Sequence, residues 1–282
     1  MDGVLNVLKP AGMTSFDVIA FLRRVYGQKK IGHGGTLDPM AAGVLPVFLG
    51  RAARLIEYAP IHRKTYEAEF LMGIATDTED ATGHVIEIGE PMGDLSVWEK
   101  AAEAFRGDIL QVPSLYSAKQ VNGRRAYDLA REGKEVALPP RPVTIHRLVI
   151  REAAPPYLRL SVTCSSGTYV RALGRDLGRA AGCPLTMSFL LRTEMGPFAI
   201  GAAKTLEEIE ADPAHACGPI RDVLSALPAV QLGKKEAADF LQGKRLFIDG
   251  ADEKQAAVYE GETFLGIGEM SRGVLHPKKV FS

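Results

Sequence analysis

"KTYEAEFLMG", residues 64–73, alternates cleanly: Thr65, Glu67 and Glu69 fall on one side of an extended chain, Tyr66, Ala68 and Phe70 on the other. A period of two predicts a half-buried β-strand with Tyr66 turned inward. An inward tyrosine needs a partner for its hydroxyl or a cleft to face. Working outward, "GVLNVLKP" (3–10) predicts a strand ended by proline, and "VLPVFLG" (44–50) a buried one. Further strands are expected near 143–150, 157–164 and 187–193.

Helices punctuate these strands. In "TSFDVIAFLRRVYG" (14–27), Val18, Phe21, Leu22 and Val25 recur at helical spacing, Thr14 or Ser15 can cap, and Asp17 suits the positive end. Short helices are expected over 51–59 and Val97–Phe105, and another over 169–181. "TDTEDATG" (76–83) reads as a polar turn. Residues 119–142, "KQVNGRRAYDLAREGKEVALPPRP", break the pattern and read as a mobile basic projection holding a short helix. From about Leu227 a short helix and glycine-separated strands predict a small β-rich appendage.

The 282 residues carry 34 basic and 34 acidic side chains, so overall charge does not grip a nucleic acid. The balance is uneven, however: Glu67–Asp108 holds 11 acidic and 2 basic residues, and Gln111–Arg151 holds 8 basic and 3 acidic. That asymmetry is compatible with one electropositive face. Cys164, Cys183 and Cys217 form no CxxC and read as small hydrophobes in a reducing compartment. There is no secretion signal and no apolar run of the ~18 residues a membrane span needs, so a cytoplasmic protein is expected.

Three residues stand out chemically. Asp38, in "HGGTLDP" (33–39), is either a turn starter held by glycines or a working carboxylate. His33 lacks a second ligand at metal spacing, and neither GxxxxGK[ST] nor GxGxxG is present, which excludes a phosphate loop. Arg171 falls in the first turn of a helix that Thr168 is expected to cap. There the helix dipole disfavours a cation by up to ~1 kcal/mol, so Arg171 is either an exposed arginine without a role or a cation placed to meet a carboxylate or a phosphate. These residues alone do not name a reaction.

Taken together, six collinear motifs resemble the TruB-type tRNA pseudouridine synthases: "LNVLKPAGMTSFDV" (5–18), "IGHGGTLDPMAAGVLPVFLGRAARL" (31–55), "KTYEAEFLMGIATDTEDATG" (64–83), "VPSLYSAKQVNGRRAYDLAREG" (112–133), "CSSGTYVRALGRDLG" (164–178) and "FLLRTEMGPF" (189–198). The resemblance implies an α+β fold with a largely antiparallel central sheet and a cleft. It implies a catalytic domain over 1–226, with an RNA-clasping insertion near 119–142, and a small PUA-type RNA-binding domain over 227–282. It further implies conversion of uridine 55 to pseudouridine in the T-arm of tRNA, with base flipping and with no cofactor or metal.

Residue by residue, the resemblance makes Asp38 the essential carboxylate, Arg171 its charge partner, and Tyr66 the stacking residue and base for the C5 proton. Tyr169 and Leu190 would line the uridine pocket, His33 would prop the opened T-loop, and Lys9 would contribute to substrate binding. Ser114 and Gln120 depart from the family's usual residues on the RNA-clasping side. The short margins outside the motifs favour the stand-alone bacterial type, working as a monomer, over an RNA-guided relative. A purely RNA-binding or RNA-folding role is the rival from another class, and the retained Asp38, Tyr66 and Arg171 speak against it.

Overall fold

The computed structural model describes residues 1–114, 120–121, 124–125 and 138–281, and the chain divides into two compact units. One comprises Met1–Pro39, Val44–Ile61 and Gly196–Ser282, the other Met40–Gly43 and His62–Met195. Most of the basic projection expected over 119–142 lies outside the described residues.

The second unit is built on an antiparallel sheet with strand order Leu185–Met195, Arg63–Met72, Tyr157–Ser165, Arg141–Ala154, Gly107–Gln111. The strand quoted at the outset is therefore central, paired on both edges, with Tyr66, Ala68, Phe70 and Met72 buried on one face. Ala42 and Gly43 add a short parallel pairing to Leu191 and Arg192. Gly43 is required there: at its φ of +115° any Cβ would lie 2.2 Å from the Arg192 carbonyl oxygen.

The Val170–Ala181 helix lies along the buried face of the central strand. A Cβ on Gly174 would fall 2.0 Å from Cε1 of Phe70, and one on Gly178 would fall 3.1 Å from Cγ of Leu185, a residue paired with Met72. Glycine within a helix costs about 1 kcal/mol. Here it lets helix and sheet approach to backbone contact. The helix thus meets Phe70 at Gly174 and Leu185 at Gly178, with Arg171 one turn before the first of these contacts.

Several boundaries differ from expectation. Arg141 and Pro142 are the first residues of a strand, paired with Gln111 and Leu110, a position where proline is tolerated. Thr168 does not cap the helix. Its hydroxyl donates to the Ser165 carbonyl (3.0 Å), and Tyr169, with no side-chain cap bond, takes the N-cap position.

In the first unit, the Ser15–Val25 helix is capped by Thr14, one of the two residues expected, and Asp17 closes a capping box with it. It packs with the Gly3–Lys9 and Ala42–Leu49 strands in a core that includes Leu5, Val7, Val18, Leu22, Leu45 and Val47. Ile31–His33 is a three-residue strand antiparallel to Leu49–Val47. Residues Gly50–Tyr58 wind as a 3₁₀ helix. Toward the C-terminus, five strands in the order Ala229–Gln231, Glu253–Glu260, Thr263–Ser271, Val274–Val280, Leu246–Phe247 enclose their own core with the Lys234–Leu241 helix, around Phe240, Val258 and Leu275. The chain is thus a mixed α+β protein with a mostly antiparallel main sheet and a β-rich C-terminal part.

Candidate active site

Asp38 is half-buried, and both of its neighbours are pinned. The Ser15 hydroxyl, itself buried, donates to the Leu37 carbonyl (3.1 Å) and accepts from the Leu37 N–H (2.9 Å). On the other side the Pro39 carbonyl accepts from Gly12 N–H at 2.8 Å and from Lys9 Nζ at 3.4 Å. Lys9 is 0% exposed, and its ammonium also donates to the carbonyls of Pro10 (2.8 Å) and Met13 (2.5 Å). A buried ammonium is tolerable only with such partners. The carboxylate is therefore carried on a backbone fixed at both flanking residues, the preorganisation that a reacting group requires. His33 closes the short strand opposite Val47, ahead of Gly34, whose N–H donates to the Pro46 carbonyl (2.8 Å).

The second unit gathers a different set. Tyr66 pairs across the ladder with Arg192, and Ala68 with Leu190, so Tyr66 and Leu190 share one face of the sheet, both buried. Tyr169 is clamped through its backbone: its N–H donates to Gln111 Oε1 (2.8 Å) and its carbonyl accepts from Gln111 Nε2 (3.1 Å).

Arg171 is buried, and an anion does stand beside it. Its Nη1 donates to the Asp80 carboxylate and to the Thr78 carbonyl, each at 3.2 Å. Asp80 was missed in the sequence, where 76–83 read as a solvated turn. The turn instead folds around this carboxylate: Oδ1 accepts from the Thr78 hydroxyl (2.8 Å), the Thr82 hydroxyl (2.5 Å) and the Thr82 N–H (3.0 Å). Three threonines spaced around two consecutive acids were the available signal.

One helical turn beyond Arg171, Arg175 meets the preceding acid: Nη1 lies 2.5 Å from Glu79 Oε1, while Nη2 donates to the Val112 carbonyl (2.9 Å). Burial pushes the Glu79 carboxyl above the usual range, against the pull of Arg175. Glu79 also takes a φ of +63°, which few non-glycine residues adopt. Consecutive acids in the turn thus grip consecutive turns of the helix.

A cavity of about 820 Å³ in this unit includes Glu79, Arg175 and Cys183 in its wall, but none of Tyr66, Tyr169, Arg171 or Leu190. Cys164 and Cys183 are buried and Cys217 partly so, all three as free thiols. Among the described residues, no helix is long and apolar enough to cross a membrane.

Comparison with known proteins shows the family. Residues 23–170 match the TruB family pseudouridylate synthase N-terminal domain, and residues 228–281 match the C-terminal domain of pseudouridine synthase II TruB. The tRNA pseudouridine synthase B of Caldanaerobacter subterraneus subsp. tengcongensis is 44% identical, over 100% of this chain and 99% of its own length. That of Gloeobacter violaceus is also 44% identical, over 98% of each chain. Among solved structures, the crystal structure of a Cbf5-Nop10-Gar1 complex aligns over 99% of this chain and 85% of its own, with a TM-score of 0.77 at 24% identity, a likeness of fold. The chain belongs to the TruB family of pseudouridine synthases, which are isomerases.

Proposed function

We propose that this enzyme converts uridine 55 in the T-arm of tRNA to pseudouridine, without a cofactor, acting as a cytoplasmic monomer. The observation that carries the reading is Asp38, held between two pinned neighbours in a chain that matches tRNA pseudouridine synthase B relatives over its full length. In the reaction the N1–C1′ bond breaks, the uracil turns, a C5–C1′ bond forms, C5 gives up its proton and N1 ends protonated. Asp38 attacks the ribose or takes a ribose proton, which lets the glycosidic bond break.

Arg171 is the charge partner of the reacting carboxylate. Tyr66 stacks on the extruded base and accepts the C5 proton. Tyr169 and Leu190 line the uracil pocket, and His33 props the loop from which the base has left. Lys9 supports substrate binding through the loop carbonyls that it holds.

The domain division follows the same reading. Residues 1–226 form the catalytic domain, the insertion near 119–142 clasps RNA through phosphate contacts, and 227–282 form a PUA-like RNA-binding domain. The test is to map pseudouridine in tRNA transcripts treated with the enzyme. Modification at position 55, absent when that uridine is replaced by cytidine, supports the reading. Modification elsewhere with position 55 untouched overturns it.

A further inference from the structure

Lys64 stands two residues before Tyr66 on the central strand, so both side chains leave the same face, about 7 Å apart along the chain. Across the ladders its partners are Cys164 on one side and Met195 on the other, and neither is an anion. The charged group that acts on it is another cation, Arg192, which is 0% exposed and sits opposite Tyr66. No described residue gives Lys64 Nζ a hydrogen bond or an ion pair.

A lysine that merely packs its stem sends its ammonium out to water. Lys64 instead is only partly exposed, and burial, reinforced by Arg192 and slightly opposed by the Cys164 thiol, brings it down from 10.5 to about 8. Near neutral pH it is still charged. An ammonium that has no counterion among the described residues and is kept beside a second cation is a standing cost to the fold, unless a ligand brings the anion.

We propose that Lys64 binds an anionic oxygen of the nucleotide that Tyr66 engages. This rests on the functional reading above. Two oxygens of that nucleotide have the right chemistry. One is a backbone phosphate oxygen. The other is the uracil oxyanion: when the N1–C1′ bond breaks, its electron pair stays on the base and spreads over N1, O2 and O4, where an ammonium can donate a hydrogen bond without giving up its proton.

The test uses the full chain and tRNA carrying tritium at uridine C5, with Lys64→Met, a second uncharged variant Lys64→Gln, and Lys64→Arg. Losing an uncompensated charge should leave the fold at least as stable, which thermal melting checks. We expect kcat/KM to fall 10- to 100-fold in the uncharged variants and to recover in part in Lys64→Arg. A phosphate contact shows as a higher KM and a salt dependence of tRNA binding shallower by about 0.7. An oxyanion contact shows as a lower kcat with binding unchanged, and as loss of the wild type's fall in kcat above a pH of about 8. Folded uncharged variants with wild-type kcat, KM and salt dependence overturn the proposal alone. A wild type that releases no tritium overturns the functional reading, and this proposal with it.

Discussion

Arg171 and Asp80 form a buried ion pair, Nη1 to Oδ2 at 3.2 Å, with each side chain 7% exposed. The pair joins the first turn of the Val170–Ala181 helix to a threonine-rich turn 91 residues earlier. Buried pairs of this kind contribute little net stability when intact, but breaking one by removing a partner costs about 3–5 kcal/mol. Asp80→Asn keeps the shape and removes the anionic member of this pair. The expected outcome is a lower melting temperature and a kcat reduced at least 10-fold, with tRNA affinity close to that of the wild type. Unchanged kcat in Asp80→Asn would show that the pair does not position Arg171 for the reaction.

The contact between Gly174 and Phe70 sets the height of the same helix above the sheet. Alanine would gain about 1 kcal/mol of helix propensity. Its Cβ, however, would fall 2.0 Å from a ring carbon of a fully buried phenylalanine. Overpacking of that sort costs about 1–3 kcal/mol and outweighs the gain. Gly174→Ala should therefore be net destabilised in urea unfolding. A variant more stable than the wild type would mean that the helix lifts off freely.

Ser15 makes a two-way hydrogen bond to Leu37, the residue before Asp38. Ser15→Ala leaves a buried N–H and a carbonyl without that partner, at about 1–3 kcal/mol. If the clamp matters for preorganisation, kcat drops by about 10-fold or more while KM moves little. Equal kcat in a folded Ser15→Ala protein would confine the clamp to stability.

Lys64 gives a pH signature with a definite sign. Its folded value is lowered from 10.5 to about 8, so between those values the unfolded chain binds more protons than the native one. Stability then rises with pH across that window, and below it the group imposes its full cost with no further dependence on pH. The wild type should gain on Lys64→Met by up to about 3 kcal/mol between pH 8 and 10.5, read by urea unfolding at a series of pH values. A difference that stays flat with pH would mean that Lys64 is solvated.

The sequence made the central strand legible because a period of two survives inspection, and the start of the Ser15–Val25 helix because Thr14, Ser15 and Asp17 cluster there, although not which of the first two caps it. What it hid were contacts between distant residues. The acids of 76–83 look the same whether they face water or two arginines more than 90 residues away. Thr168 had the chemistry of a cap, but its hydroxyl goes to Ser165, and the Tyr169 N–H goes to Gln111, 58 residues back. Ile31–His33 was too short to show alternation. Of the site residues, Asp38 and Arg171 were visible as oddities of local chemistry, whereas their roles came from the resemblance of whole motifs.

The central claim is that Asp38 drives the isomerisation, and tritium release from tRNA labelled at uridine C5 tests it most directly. The wild type should release tritium, and Asp38→Asn should release none while still binding the same tRNA. Release by Asp38→Asn at the wild-type rate would contradict the account and leave Asp38 a turn residue.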